Sequence, residues 1–129
     1  MTSKVSNFSA ADAALGYLYQ VRVALLWSLR RLKTSQSFLV SLETLDDVTF
    51  EVGGQPDELL QTKHHKNREG KLTDASPDLW KTLRAWFEGY ASGDIPTGTS
   101  LHLLTTGKAA EGTAAAYLCT RSRDVDAAL

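Results

Sequence analysis

Two neighbouring segments decide the fold, Asp46–Val52 (DDVTFEV) and Glu58–His64 (ELLQTKH), and Gly53-Gly54 and Pro56 separate them. The first segment is rich in β-branched and aromatic residues, and glycine and proline favour turns, so the two segments predict consecutive β-strands. The run Phe38–Glu43 (FLVSLE) precedes them and predicts one more strand. Together the three runs predict a meander.

A helical pattern precedes these strands. Ser9-Ala10-Ala11-Asp12 is typical of a capping box, and the basic residues near position 31 suit the last turn of a helix. The apolar residues between them recur at three- and four-residue spacing, namely Leu15, Leu18, Tyr19, Val21, Leu25, Leu26, Leu29 and Leu32. This periodicity predicts one long amphipathic helix over about residues 9 to 33.

Further elements are predicted downstream. Ser76-Pro77 favours the start of a second helix, which should end near residue 91 before Ser92-Gly93. We expect its aromatic residues to pack against the sheet rather than stack on bases, because they recur at helical spacing; they are Trp80, Trp86 and Tyr90. Ser100–Thr106 predicts a buried strand, and Ala109–Leu118 predicts a short alanine-rich helix.

Length and composition limit the classes of protein. A chain of 129 residues with 43% hydrophobic residues has the size of one domain, which we place at residues 9–119, between a flexible N-terminus at 1–8 and a polar tail at 120–129. The 14 basic and 15 acidic side chains leave a net charge of -1, so the overall charge of the chain does not favour binding to nucleic acid or to an anionic membrane. Cys119 is alone, which excludes an intrachain disulfide. No signal core or membrane span is evident, and we expect a soluble, cytoplasmic protein without a membrane partner.

The third predicted strand carries two polar side chains that should face the same space. Residues i and i+2 of a strand point to one face, so Gln61 and Lys63 share a face and Thr62 points away. Phosphodiester hydrolysis needs oxygen ligands for Mg²⁺ and a cation beside the developing charge. A carboxylate at the start of the neighbouring strand, with Gln61 and Lys63, would supply both.

Two aspartates compete for that carboxylate position. Asp46 is in phase with Val48 and Phe50, Asp47 is in the opposite phase, and the sequence does not say which face is buried. The pair could instead be a turn, where aspartate accepts hydrogen bonds from its own backbone. The lysine strand downstream favours metal binding over the turn.

A dense basic run follows the lysine strand. Its side chains could contact DNA phosphates beside the site, where each neutralised phosphate adds salt-sensitive affinity, or they could form a solvated loop. The predicted phosphate contacts are His64, Lys66, Arg68 and Lys71. Zinc binding by His64 and His65 is disfavoured, because adjacent strand residues point to opposite faces and no third ligand is near.

Four motifs in order carry a resemblance to a known family. They are Gly16–Gln20 (GYLYQ), Glu43–Val48 (ETLDDV), Gln61–His64 (QTKH) and Leu79–Leu83 (LWKTL). With the predicted αβββαβ order, the chain resembles the PD-(D/E)XK, restriction-endonuclease-like nucleases, in the variant where glutamine replaces the usual glutamate. Over about residues 10 to 107 it is similar to the double-stranded-DNA endonuclease domains at the N-terminus of bacterial anti-phage effectors, including those of cyclic-oligonucleotide (CBASS) systems.

The resemblance implies a fold and a set of roles. The fold would be α/β, a restriction-endonuclease-like αβββαβ core with a mixed sheet flanked by helices. Asp47 and Gln61 would hold Mg²⁺, for which Mn²⁺ can substitute, and Lys63 would orient the water and steady the transition state. Supporting residues would be Gln20, Glu43 and Asp46.

The resemblance also implies partners. The substrate would be duplex DNA, and the chain would act as a homo-oligomer or within a larger defence complex that has a regulatory sensor. Nothing in the sequence looks like a sensing domain, so we expect either a fragment of a longer effector or activation by association. The alternatives are a nuclease fold that no longer cleaves and serves DNA binding or assembly, and an interaction domain whose polar cluster is accidental.

Overall fold

A computed structural model of the chain describes residues 10–34, 37–42, 47–63, 71–121 and 123–129. The chain divides into two compact units, a sheet unit of Met1–His64 with Pro96–Leu104 and a helical unit of His65–Ile95 with Thr105–Leu129. In chain order the elements are α1 (Ala10–Arg31), β1 (Leu39–Leu42), β2 (Asp47–Val52), β3 (Gln55–Lys63), β4 (Lys71–Leu72), α2 (Pro77–Ser92), β5 (Ser100–Thr105), β6 (Lys108–Ala109), α3 (Ala114–Tyr117) and α4 (Val125–Ala128).

The main sheet is four-stranded and mixed, in the order β1-β2-β3-β5. β1 pairs with β2 and β2 pairs with β3, both antiparallel, which confirms the predicted meander. Gly53 and Gly54 connect β2 to β3 with φ angles of 61° and 78°. A two-residue hairpin loop with positive φ at both positions matches the twist of the strands, and glycine adopts it without steric cost. The mixed sheet and the helices together confirm the coarse α/β class.

The core of the sheet unit lies between α1 and one face of the sheet. Val48, Phe50 and Leu60 are fully buried there, and they pack with Val23 and Ala24 of the helix. Burial of this apolar area is the main favourable contribution to the stability of the unit. The small side chains at 23 and 24 allow α1 to approach the strands closely.

The leucine periodicity predicted the length of α1, but the leucines do not form its buried face. The buried residues of the helix are Gln20, Val23 and Ala24. Most of the leucines that carried the prediction are about half exposed, namely Leu15, Leu18, Leu25, Leu26, Leu29 and Leu32. The helix thus has an apolar stripe that faces solvent as well as the one that faces the sheet. Ser9, the predicted cap, lies outside the described residues.

The helical unit contains a short parallel pair that the sequence did not predict. In it, β4 pairs with β6, and the Ala110 N–H donates to the Leu72 carbonyl oxygen at 2.8 Å. α2 has nearly the predicted bounds, and Gly93 ends it with φ 85°. Ser76 occupies the predicted N-cap position without a capping bond from its side chain, because its hydroxyl accepts from the Thr73 N–H instead.

Several predictions for this half of the chain were wrong. Trp80, Tyr90 and Phe87 are exposed, Phe87 by 71%, so the aromatic side chains of α2 do not all pack into a core. In the sheet unit, β5 is only partly buried and not the buried strand that was predicted.

The C-terminal predictions also need correction. The alanine-rich segment forms a helix of four residues, because Gly112 has a positive φ and Thr113 caps only the turn that follows. The predicted polar tail contains α4, capped by Asp124. Among the described residues, no helix is long and apolar enough to cross a membrane.

Candidate metal and phosphate site

The predicted site residues lie at the ends of two paired strands. Asp47 is the first residue of β2 and Lys63 the last of β3, and Asp47 is directly opposite Gln61 in the antiparallel register. Directly opposed residues of an antiparallel pair project to the same face, with Cβ atoms about 4.5–5.5 Å apart. Lys63 is two residues beyond Gln61 and shares that face. The three side chains therefore converge at one edge of the sheet.

The burial pattern shows which face this is. Val48, Leu60 and Thr62 are buried on the α1 side, whereas Asp47, Gln61 and Lys63 alternate with them and are half-buried. Asp47 is thus out of phase with the hydrophobic core. Asp46 lies outside the described residues.

A β-bulge determines which residue faces Gln61. The ladder begins at the hairpin with Val52 opposite Gln55, and its register shifts between Phe50 and Glu51. Without this shift, the same ladder would place Leu60 opposite Asp47. Pro56 lies opposite Glu51, at the shift; it has no N–H to donate to a regular ladder, which explains why the irregularity occurs there.

Gln20 connects α1 to this site through the main chain. The residue is 2% exposed, and its Nε2 donates to the Asp47 carbonyl oxygen at 2.8 Å. A buried amide needs such a partner, because an unsatisfied polar group inside the protein costs stability. The predicted supporting residue therefore anchors the start of β2, the segment that carries the Asp47 side chain.

The donor set suits a weakly held Mg²⁺. Asp47 has a carboxylate whose Oδ1 is buried from solvent, and Gln61 has an amide oxygen on the facing residue. Mg²⁺ is commonly held by one or two carboxylates and keeps several waters and substrate phosphate oxygens. Within the described part of the chain, no group of three or more His, Cys, Asp or Glu side chains is placed to hold a metal. With waters and phosphate oxygens completing the shell, Asp47 and Gln61 could hold Mg²⁺ in an open site.

Most of the remaining predicted site residues lie outside the described residues. These are Glu43, Asp46, His64, Lys66 and Arg68. The main chain of Lys71 forms β4, where it pairs with Lys108, so this position belongs to a strand and not to the predicted loop.

The structure also contains a polar cluster that the sequence did not reveal. Arg31, at the end of α1, donates to Glu58 at 3.3 Å and to Asp57 at 2.8 Å. His102 of β5 lies 3.0 Å from the second oxygen of Glu58. Arg31 and Glu58 are nearly buried, with side chains 13% and 15% exposed. The cluster joins α1, β3 and β5 on the core side of the sheet.

Aromatic rings complete the surroundings of Arg31. Its guanidinium lies 5.3 Å from the Phe38 ring centroid and 5.1 Å from that of Phe50. Contacts of this kind stabilise a partly desolvated cation. In the sequence, Arg31 is one of several basic residues at a helix end, and no local signal separates it from its neighbours. The arrangement gives it a structural role.

The chain matches no protein-family model, and comparisons with curated proteins and with solved structures likewise found no match. What the fold defines is therefore the coarse class, an α/β chain with a mixed four-stranded sheet. The resemblance to PD-(D/E)XK nucleases, drawn from the sequence motifs, stays a prediction.

Proposed function

We propose that the chain is a metal-dependent nuclease that hydrolyses phosphodiester bonds of duplex DNA at Asp47, Gln61 and Lys63. The observation that carries the proposal is the register of β2 and β3. In it, Asp47 is directly opposite Gln61, and Lys63 is two residues further along β3. A carboxylate, an amide oxygen and an ammonium at one sheet edge match the needs of phosphodiester hydrolysis. This is the pattern that the family resemblance implies for these positions.

Each residue has a distinct role in this reaction. The Asp47 carboxylate and the Gln61 amide oxygen would hold Mg²⁺, which when bound polarises the phosphate and lowers the pKa of water. The Lys63 ammonium donates to the attacking water or a phosphate oxygen and stabilises negative charge as it develops in the pentavalent transition state. Gln20 keeps the start of β2 in place, so that the carboxylate is held ready before substrate binds.

The preference for duplex DNA, the role in anti-phage defence and the cytoplasmic location come from the resemblance and are part of the proposal. The basic run from His64 to Lys71 would supply the phosphate contacts. A second candidate function is a nuclease fold that binds DNA or assists assembly without cleavage. The uncharged Gln61, in the place of the usual glutamate, favours this alternative.

Cleavage of supercoiled plasmid with Mg²⁺, Mn²⁺ or EDTA tests the proposal. We expect metal-dependent nicking, which Asp47→Asn and Lys63→Met should each reduce by about 10²-fold or more, the usual effect of removing one group that stabilises transition-state charge. Matched controls are Glu51→Gln on the same strand and Lys81→Ala on α2, both of which should cleave at the native rate.

A gain-of-function variant tests the metal ligand. Gln61→Glu adds a second carboxylate to the donor set, so half-maximal cleavage should need less Mg²⁺ than in the native chain. An unchanged Mg²⁺ requirement would argue against Gln61 as a ligand. Two results together would establish the non-cleaving alternative. The folded native protein would bind duplex DNA without cutting it, and the Lys63→Met variant would bind DNA only slightly less well than the native protein.

A further inference from the structure

The exposed stripe of α1 has the spacing of a coiled-coil seam. Its positions alternate by three and four residues, which is the a/d pattern of a heptad repeat. The seam consists of Leu15, Leu18, Arg22, Leu25, Leu29 and Leu32. Its five leucines are 50–61% exposed, and Leu32 continues the helical hydrogen bonding past α1 through its N–H to Ser28.

The seam lies opposite the helix face that packs on the sheet. The sheet face of α1 comprises Gln20, Val23, Ala24 and Trp27. At 3.6 residues per turn, the seam positions lie on the opposite side of the helix. The same helix therefore supplies the core of the sheet unit with one face and retains a leucine stripe on the other. Helices that are apolar on both faces are normally covered on both faces.

We propose that the leucine seam of α1 is the interface of a homodimer, in which α1 of a second copy packs against it in the antiparallel direction. Half the lateral surface of a helix of this length is about 500 Å², so pairing two copies would cover about 1,000 Å² in total. That area is at the lower limit for a specific interface, which predicts a reversible dimer and not an obligate one. The inference does not depend on the proposed nuclease activity.

The charges of α1 select a second copy and its direction. The helix has Asp12 in its first turn and Arg30 in its last, so antiparallel copies bring ends of opposite charge together. Arg22 is the one seam position without a leucine. Antiparallel pairing about the seam's midpoint places it opposite the partner's Leu25, where its aliphatic stem can pack and its guanidinium can reach water. Parallel pairing in register would oppose the two Arg22 side chains and would be disfavoured by repulsion.

Light scattering after size exclusion and sedimentation velocity of the intact chain test the interface. Between about 1 and 200 μM, the range in which an interface of this size dissociates, we expect the mass to rise from monomer to dimer. Leu25→Glu and Leu29→Glu should each raise the dissociation constant by at least about 30-fold, as expected for residues at the centre of an interface. Circular dichroism should show both variants folded, because these side chains are outside the core.

A matched control and a gain-of-function variant make the test specific. Leu39→Glu changes a leucine of the edge strand β1 that is 58% exposed, against 59% for Leu25, and it should dimerise normally. Arg22→Leu completes the seam and should tighten the dimer by about 10-fold, because a charged side chain leaves the interface centre. A native chain that stays monomeric throughout the range, or a dimer lost in Leu39→Glu but kept in Leu25→Glu, would overturn the proposal. So would capture of another protein's helix by a chain that never self-associates.

Cysteine cross-linking tests the direction. In a Cys119→Ser background, antiparallel pairing places residue 18 of one copy opposite residue 29 of the other. A mixture of Leu18→Cys and Leu29→Cys chains should therefore form a disulfide-linked dimer, and neither chain alone should do so. Efficient cross-linking of each chain with itself would show parallel pairing and overturn the antiparallel arrangement.

Discussion

Replacing Gln20 by methionine should lower the free energy of unfolding by about 1–3 kcal/mol, the cost of depriving a buried polar group of its partner. Gln20 is buried, and its Nε2 donates to the Asp47 carbonyl oxygen at 2.8 Å. Methionine has a similar length and no polar hydrogen, so the substitution keeps the volume and removes the donor. The matched control is Gln55→Met at the exposed start of β3, which should change stability by less than about 0.5 kcal/mol.

A second substitution at the same position tests whether donation is what matters. Glutamate is nearly the same shape as glutamine, but its ionised carboxylate accepts hydrogen bonds and cannot donate one to the Asp47 carbonyl. The protonated form can donate. Gln20→Glu should therefore be more destabilised at pH 8 than at pH 5, relative to the native chain at each pH.

Urea unfolding followed by tryptophan fluorescence and by far-ultraviolet circular dichroism measures both effects, with coincident curves as the check on two-state behaviour. The reasoning fails if Gln20→Met unfolds within 0.5 kcal/mol of the native chain, a limit set by the usual effect of surface substitutions. It also fails if the Gln20→Glu deficit is the same at pH 5 and pH 8.

Two further predictions concern the sheet unit. Arg31→Met should lower the free energy of unfolding by about 3 kcal/mol, because it leaves the nearly buried Glu58 without its guanidinium partner. Arg84→Met should lower it by at most about 0.5 kcal/mol, since the Arg84–Glu88 pair is exposed. Equal losses in urea unfolding would contradict the structural role of Arg31. Burial raises the pKa of the Tyr19 hydroxyl above its ordinary 10.0, so the hydroxyl loses its proton at higher pH in the folded state than in the unfolded state. The stability that comes from this difference is complete below pH 10 and is lost as the pH rises through the folded-state pKa. Tyr19→Phe should remove this pH-dependent component. The free energy of unfolding of both chains, measured from pH 9 to 11, tests this, and the same slope against pH in both chains would show that Tyr19 does not contribute.

The hairpin and its polar residues could be predicted because their signals are local. Alternation places Gln61 and Lys63 on one face whatever the rest of the chain does, and Gly53-Gly54 specifies a tight turn. The choice between Asp46 and Asp47 could not be predicted, because it depends on two facts that are not local. One is which sheet face α1 covers, and the other is the register shift beside Phe50.

The Arg31–Glu58–His102 cluster was not predictable for a similar reason. Its members come from α1, β3 and β5; Arg31 and Glu58 are 27 positions apart in the chain, and Glu58 and His102 are 44 positions apart. Arg31 looked like a residue that complements the helix dipole, and nothing around Glu58 or His102 marks them as its partners. Only the packing of α1 along the strands brings the three together.

α1 shows why hydrophobicity alone does not choose the buried face of a helix. The leucines have the larger transfer free energy, yet the face against the sheet uses Val23 and Ala24, since small side chains let the helix approach Phe50 and let Gln20 reach the Asp47 main chain. A leucine at either position would have to be accommodated in a close-packed interior. Val23 and Ala24 lie at the centre of the packed face with the larger Trp27 beside them, and the leucines remain at the surface at seam spacing. The same geometry that positions Asp47 leaves α1 with a second apolar face for association.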